Sequence, residues 1–289
     1  FEEVYRDQFV LSEISNITMN REDIIGDRLF IDLKDSDKSK LKNYCETNNI
    51  SLAILFEVAL IIYLRRINKT NSLTIGLPTL NRKGKERNIL GMFIGMLPMT
   101  IHDVSLDSTV LKLQKKIQDE HKNIFKYQNY DIGKITEQLS SNQNYNSGLF
   151  DVMFNYQNGK SATASKHNVK TRYYSNGTSE VPLVMMVNER DGNVVEVSYD
   201  YQINNLSKND VYLFHERILY IIRQIVENTQ KTVKDFLIYP SEEQAIIDSF
   251  SKGKKKKLSN RLLPQLFEQT SERFNSKSAS KDSTGSLTY

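Results

Sequence analysis

Hydrophobic residues recur at helical and extended spacing throughout the first half of the chain. Apolar positions three or four residues apart predict helices, and short apolar or alternating runs predict strands. The elements predicted in this way are a strand at 29–33, helices at 36–48 and 51–66, strands at 73–75 and 93–101, a helix at 107–127 and a shorter helix at 131–139.

Local signals mark the ends of two of these elements. Asp35 and Asp37 are available as N-terminal caps for the first helix, because their carboxylates can accept hydrogen bonds from unpaired N–H groups. Gly76 and Pro78 are expected to end the second strand, since both residue types interrupt regular structure.

The longest apolar run, Leu52–Leu64, is interrupted by Glu57. A bilayer-spanning helix needs about 20 apolar residues, so this run predicts a buried core helix instead. The chain shows no charged-then-apolar N-terminal signal, and we therefore expect a cytoplasmic protein. It begins with Phe1 rather than Met, which indicates a piece of a longer polypeptide.

The second half of the chain predicts a sheet followed by one long helix. Asp191-Gly192 is a hairpin signal, because both residues tolerate the positive φ of a tight turn, and Ser207 is placed to cap the helix. The predicted elements are strands at 150–157, 169–174, 181–188 and 194–201 and a helix from 207 to 228. This mixture predicts a mixed α/β domain that ends near residue 249.

Composition and charge match an ordinary globular protein, with 39% hydrophobic and 26% charged residues. The net charge of +4 is spread along the chain and does not indicate nucleic acid binding. The single cysteine, Cys45, excludes an internal disulfide and fits a reducing compartment. Its position inside a predicted helix favours a structural role. The lysine-rich stretch 252–257 has no interleaved aromatic residues and predicts a linker.

The histidines do not predict a metal site or a self-sufficient active site. They are isolated, with no i, i+4 pair and no acidic residue at metal-ligand spacing. They are His102, His121, His167 and His215. His121 and His215 fall on predicted helices, where a packing or surface role is expected.

The strand at 150–157 has two chemically different faces, because side chains alternate along a strand. One face carries Phe150, Val152, Phe154 and Tyr156, and the other carries Asp151, Met153, Asn155 and Gln157. Two interpretations stay open. The aromatic face can pack the core while the amide face lines a channel, or the strand can lie at a sheet edge with one wet face.

Two neighbouring segments carry the most specific pattern in the chain. Gly76–Arg82 (GLPTLNR) is followed by Leu90–Met99 (LGMFIGMLPM), an apolar run with two glycines and no charge. The pair resembles the bridging loop, G-x-P-x-x-x-R, and the following strand, G-x-F-V-N-T-x-P-x-R, of nonribosomal peptide synthetase condensation domains. Gly95 and Thr100 stand where that family usually has Asn and Arg.

Other segments resemble the same family in consistent order between residues 29 and 248, notably FDVMFNYQN at 150–158 and VEVSYDYQINNL at 195–206. The resemblance implies an α/β, chloramphenicol-acetyltransferase-like lobe with helices covering a mixed β-sheet, half of a two-lobed condensation domain. Residues 1–249 would form the C-terminal lobe, with 1–28 as an inter-lobe segment, followed by a linker at 250–261. Residues 262–289 resemble the truncated start of an adenylation domain.

Condensation domains, as the resemblance implies, join an amine on one carrier domain to a thioester on another in a tunnel between two lobes. The family's H-H-x-x-x-D-G motif is absent here, so no catalytic residue is assigned and the fragment is expected to be inactive alone. No cofactor or metal is expected to bind directly, and 4'-phosphopantetheine would be carried by partner carrier domains. The implied partners are peptidyl carrier domains and the N-terminal lobe and adenylation domain of the same polypeptide, with no nucleic acid and no membrane.

The site residues implied by the resemblance fall into two groups. Those expected to line the tunnel for substrate and pantetheine are Gly91, Phe93, Gly95, Met96, Met153, Asn155 and Gln157. Those expected in the loop that latches the lobes together are Pro78, Asn81 and Arg82. The departures at Gly95 and Thr100 fit either an atypical donor, such as an acyl chain, or a degenerate domain.

Other functions stay open. The chain could be a stand-alone CoA- or carrier-dependent acyltransferase of the same superfamily, although the adenylation-like tail argues against it. It could also be a non-catalytic carrier-docking module. An epimerisation domain is disfavoured, because that branch carries a Trp where this chain has Met92 and the chain contains no Trp.

Overall fold

The computed structural model describes residues 12–14, 23–82, 84–140, 148–159, 174–190, 194–253 and 261–289. The chain divides into two compact units, Phe1–Ser241 and Glu242–Tyr289. The helices are α1 (Asp35–Asn48), α2 (Leu52–Ile67), α3 (Val110–Lys126), α4 (Ile132–Ser140), α5 (Lys208–Glu227), α6 (Ser241–Ser251) and α7 (Leu263–Arg273). The strands are β1 (Gly26–Asp32), β2 (Leu73–Thr79), β3 (Gly95–Ile101), β4 (Val152–Gly159), β5 (Leu183–Arg190), β6 (Val194–Gln202), β7 (Ser278–Lys281) and β8 (Ser286–Thr288).

The first unit is built on a mixed sheet with the strand order β1-β6-β5-β4-β2-β3 across its described residues. β4 runs parallel to β2 and β5, and the other neighbouring pairs are antiparallel. The carboxyl ends of β2, β4 and β5 therefore meet at one edge of the sheet. The predicted mixed sheet with covering helices is confirmed.

One face of the sheet packs against the helices and forms the main core. α2 lies at its centre, and Phe56, Leu60 and Leu64 on this helix are completely buried. It contacts α3, α5 and α1 as well as β2. The interpretation of Leu52–Leu64 as a buried core helix is confirmed, because an apolar helix of this kind is stable only when most of its surface is covered.

The N-terminal cap of α5 is as predicted, whereas that of α1 is not. Ser207 Oγ accepts the Asp210 N–H at 3.1 Å, and the Asp210 carboxylate accepts the Ser207 N–H at 2.9 Å, which completes a capping box for α5. The prediction that Asp35 and Asp37 cap α1 is wrong. Lys34 occupies the cap position without a side-chain hydrogen bond, and both carboxylates lie in the first turn, where they favour the helix through its dipole.

The prediction that Gly76 and Pro78 end β2 is also wrong, because the strand continues through both to Thr79. The register places Pro78 opposite Met96. Thr74, which has the same alternation as Pro78, donates its N–H to Ser12 Oγ at 2.7 Å instead of to β3. The missing N–H of Pro78 would thus point away from β3, and no hydrogen bond between the two strands is lost.

Several sequence predictions fall outside the described residues. They are the Asp191-Gly192 turn, the strand at 169–174 apart from Tyr174, His167, and most of the lysine-rich linker. In the second unit, α7 is followed by the β7–β8 hairpin, and the rings of Phe267 and Tyr289 lie 6.2 Å apart. None of the described helices is both long enough and apolar enough to span a membrane.

Candidate functional site

The two faces of β4 differ as predicted. Val152 and Phe154 are buried against the helices, whereas Met153 and Asn155 on the other face are half-buried and Gln157 is exposed. β4 lies between β2 and β5, so the alternative interpretation of an edge strand is wrong. The face of the sheet that carries Asn155 and Gln157 is therefore the one turned away from the helices, and it presents polar side chains. We call this second face the open face.

Polar groups continue across the open face onto the strands beyond β4. Asn188 on β5 lies directly opposite Gln157, and its amide contacts the Glu196 carboxylate on β6 at 3.5 Å. Further along, the guanidinium of Arg28 forms an ion pair with Asp200, and this hydrogen bond raises the pKa of Arg28. The open face therefore offers both donors and acceptors, held in place by the sheet.

Part of the open face, near β2 and the start of β4, is covered by a second, smaller hydrophobic cluster. Ile135 on α4 and Phe150 are buried there, and Met96 and Met153 pack against them. The Phe150 ring lies directly over Gly76, where an added Cβ would meet the ring at 2.2 Å. Glycine is required at this position because the ring occupies the space of any side chain.

The position of Phe150 corrects one detail of the predicted alternation. The pattern placed Phe150 on the same face as Val152, but β4 begins only at Val152. Phe150 therefore precedes the strand, is not bound by its alternation, and packs with the second cluster instead of the main core.

Arg82 organises the loop between β2 and β3. Its guanidinium donates to the carbonyl oxygens of Ile89 and Gly91, each at 2.5 Å, and of Glu86 at 3.1 Å. It also lies 4.5 Å from the centre of the Phe93 ring, within cation–π distance. The structure thus brings together three residues predicted for the site, Arg82, Gly91 and Phe93, and gives Arg82 a role in holding the loop.

The same loop exposes an unusual number of apolar side chains. Leu90 and Met92 are 100% and 90% exposed, and the others are Leu80, Ile89 and Ile94. Single exposed apolar residues are common, but a contiguous group on one loop indicates a contact surface.

Gly95 faces the opposite side of the sheet from the other predicted tunnel residues of β3 and β4. It is paired with Thr79, and a Cβ at this position would lie 3.3 Å from Thr79 Oγ1 and 3.8 Å from Asn81 Nδ2. Asn81 itself adopts a left-handed conformation, with φ of 50°. An added Cβ would be tight against Thr79 Oγ1 and in ordinary contact with Asn81 Nδ2, so the glycine suits the close approach of Thr79.

Thr100, the second departure from the family pattern, is buried. Its hydroxyl forms a 2.9 Å hydrogen bond with the hydroxyl of Thr74 on the neighbouring strand. A cross-strand pair of threonines is a normal means of sheet stabilisation and leaves no polar atom unsatisfied there.

A cavity of about 700 Å³ lies at the carboxyl edge of the sheet, on its helix-covered side. It is bounded by α1, by the turn that leads into α2, and by the ends of β4 and β5. Sequence reasoning missed this cavity, because its walls come from segments more than 100 residues apart. The one sequence signal for it is the alternation of β4, which places Tyr156 on this side.

Comparison with known protein families identifies the class of protein to which this fold belongs. Residues 8–247 match the family model described as Condensation domain, which spans most of the chain. The chain therefore belongs to the condensation domain family.

Among curated proteins, the chain is similar to parts of nonribosomal peptide synthetases. It is 25% identical over 252 residues to a plipastatin synthase of Bacillus subtilis (strain 168), covering 86% of this chain and 10% of that protein. It is 23% identical over 269 residues to bacitracin synthase 3 of Bacillus licheniformis, covering 91% of this chain and 4% of that protein. The chain thus corresponds to a small part of each of these relatives.

Solved structures agree on the fold. A four-domain nonribosomal peptide synthetase bound to AMP and glycine matches with a TM-score of 0.73 at 14% identity, over 96% of this chain and 23% of that chain. The condensation domain of the Monacolin K polyketide synthase matches with a TM-score of 0.61 at 14% identity, over 80% of this chain and 53% of that one. The predicted chloramphenicol-acetyltransferase-like fold is confirmed.

Proposed function

We propose that this chain is the C-terminal lobe of a condensation domain that forms amide bonds between carrier-bound substrates in a nonribosomal peptide synthetase. The observation that supports this most directly is the amide-bearing open face of β4 beside an exposed apolar loop. In this proposal the open face forms one wall of the substrate tunnel, and the loop contacts the other lobe.

The amides of Asn155 and Gln157 suit the chemistry of a tethered substrate. The 4'-phosphopantetheine arm, carried by a partner carrier domain, contains amide groups that need both donors and acceptors, and a side-chain amide supplies one of each. These residues would position the thioester and the amine, and positioning alone removes much of the barrier to a reaction between two reactants. The proton transfer belongs to the histidine motif of the other lobe.

The loop between β2 and β3 would latch the two lobes together. Its exposed apolar side chains, described above, would be buried against the N-terminal lobe, and burial of apolar surface favours association. Arg82 keeps the loop in one conformation, which reduces the entropy lost on binding. Thr79, Asn81 and Pro78 lie at its base, with Pro78 inside β2 rather than in the loop.

The test is condensation by the parent synthetase, supplied with two loaded carrier domains. Changing Asn155 and Gln157 together to Ala should slow dipeptide formation by the intact protein while its melting temperature stays near that of wild type. Asn204→Ala, on the exposed turn after β6, is the matched control. Full activity of the double variant would contradict the tunnel assignment. Turnover by residues 1–289 alone, abolished by mutating one of their own histidines, would contradict the fragment's dependence on its partner lobe.

The second unit is proposed to begin an adenylation domain, in the usual module order. Support comes from the LLPQLFEQTSERF helix, which α7 reproduces, and from the SLTY segment, which forms β8. Domain partners of the chain would then be the peptidyl carrier domains and the adenylation domain of the same polypeptide.

A protein-docking role is the second candidate. The X-domain from teicoplanin biosynthesis, solved in complex with OxyB, matches this chain with a TM-score of 0.65 at 16% identity, over 82% of this chain and 54% of that one. Binding of a carrier domain by the parent protein without any condensation would favour this role, whereas product formation would exclude it.

A further inference from the structure

The cavity at the carboxyl edge of the sheet is separate from the open face. Tyr156 lines it and shares the helix-covered face with Val152 and Phe154, whereas Asn155 and Gln157 point to the opposite face of the same strand. Its volume of about 700 Å³ lies within the roughly 300–1,000 Å³ range of small-molecule sites. A molecule bound here would not occupy the proposed tunnel wall.

The inner wall of the cavity is apolar. The apolar side chains come from α1, from the turn into α2 and from the start of β6. They are Leu41, Cys45, Ile50, Leu52 and Val195. Leu41 and Leu52 are buried in the main core, so the floor is part of a fixed structure rather than a mobile surface. Such a floor favours an apolar group on the ligand.

One carboxylate stands at this inner wall. Glu189 at the end of β5 lies beside Val195 and accepts a hydrogen bond from the Tyr156 hydroxyl. Its negative charge raises the pKa of both Tyr156 and Cys45, after the larger effect of burial, so the field inside the cavity disfavours anions. At the rim, Lys38 forms an ion pair with the exposed Asp35 at 3.1 Å, and Lys42 and Glu46 add one further charge of each sign.

We propose that this cavity is a binding site for a small molecule with an apolar body and an ammonium group, with Glu189 as the counter-ion. The apolar floor would hold the alkyl or aryl part, and the ammonium would lie near the partly buried carboxylate, where an ion pair is screened less than at the surface. This inference does not depend on the proposed condensation activity.

Cys45 provides a specific reporter, because it lines the cavity and is the only cysteine among the 289 residues. Burial, assisted by Glu189, raises the pKa of its thiol to about 11, so labelling will be slow and will accelerate with pH. The experiment measures the rate at which methyl methanethiosulfonate, a small neutral reagent, labels the native chain, followed by intact mass.

The probes are hexylamine, hexanol and hexanoate at one pH and equal concentrations. We expect hexylamine to protect Cys45 at a concentration about fivefold lower than hexanol, because this is the largest gain in affinity expected from a partly exposed ion pair. Hexanoate should protect Cys45 least. Glu189→Gln should remove the difference between amine and alcohol. Glu227→Gln, at an exposed position on α5, is the matched control and should keep it.

Three results would overturn the proposal. The first is no labelling of native Cys45 under conditions that label the unfolded chain, which would show that the cavity is closed. The second is equal protection by all three probes, and the third is an amine preference that survives in Glu189→Gln. A melting curve for each variant verifies that any change in labelling is not caused by unfolding.

Discussion

The two faces of the central sheet carry opposite kinds of side chain, although they belong to the same strands. On the helix-covered face, Phe154 and Tyr199 are almost completely buried in a continuous apolar core. On the open face, Asn155 and Gln157 remain accessible, beside Met186 and Asn188 on β5. Stability therefore depends mainly on one face, and the proposed function on the other. Substitutions at adjacent residues of β4 can therefore test stability and the proposed function separately.

The largest expected effect comes from truncating the covered face. Phe154→Ala would leave a cavity in the main core, where Phe154 is 2% exposed, and should lower the free energy of unfolding by about 3–5 kcal/mol. Asn155→Ala, one residue away on the open face, should change it by less than about 1 kcal/mol. Urea denaturation of the two variants measures both. Similar losses for both would show that the open face also supports the fold.

A buried histidine should make the covered face sensitive to acid. His215 on α5 is hydrogen-bonded to the Tyr199 hydroxyl at 2.9 Å, and burial lowers its pKa from 6.5 to about 4. In the folded protein His215 resists protonation, so protons bind more readily to the unfolded chain and destabilise the fold. The stability that the neutral His215 contributes is therefore fully present above pH 6.5 and is lost as the pH falls through 4. It amounts to about 3 kcal/mol.

Comparison with His215→Gln isolates this contribution. The difference in unfolding free energy between wild type and the variant should shrink from pH 7 to pH 4, since other titrating groups cancel. Parallel pH profiles for the two proteins would contradict a buried, neutral His215.

The boundary between the two regions can be tested at Gly76, where Phe150 covers the open face. Gly76→Ala should cost about 1–3 kcal/mol of unfolding free energy, because the new methyl group overlaps the Phe150 ring. Phe150→Leu should relieve part of this cost, so the double variant should lose less than the sum of the single variants. Strict additivity in that cycle would argue against the contact.

The smallest effect on stability is expected at the loop. Arg82→Lys keeps the charge but cannot reproduce the fork of hydrogen bonds to Ile89 and Gly91 or the stacking on Phe93. We expect less than about 1 kcal/mol of lost stability, together with faster proteolysis of the loop and slower condensation by the parent protein. Lys85→Arg, on the same loop, is the control. Unchanged proteolysis and activity in Arg82→Lys would contradict the holding role.

Sequence patterns located most of the strands and helices of the first unit within a few residues. They failed where a local signal was overruled by distant partners. Pro78 was expected to end a strand, but the alternation of β2 directs its nitrogen away from β3. Asp35 was expected to cap α1, but the cap position is Lys34. The resemblance identified the family, and the loop it selected is the one that Arg82 organises.

The amino-acid sequence by itself determined the alternation of β4, the buried α2 and the Ser207 cap, because each depends on residues close together in the chain. Only the tertiary structure decided which face of the sheet is covered and why Gly76 must be glycine. It also formed the cavity beside Glu189. These features depend on strand order and on contacts between segments far apart in sequence, which a local pattern does not encode.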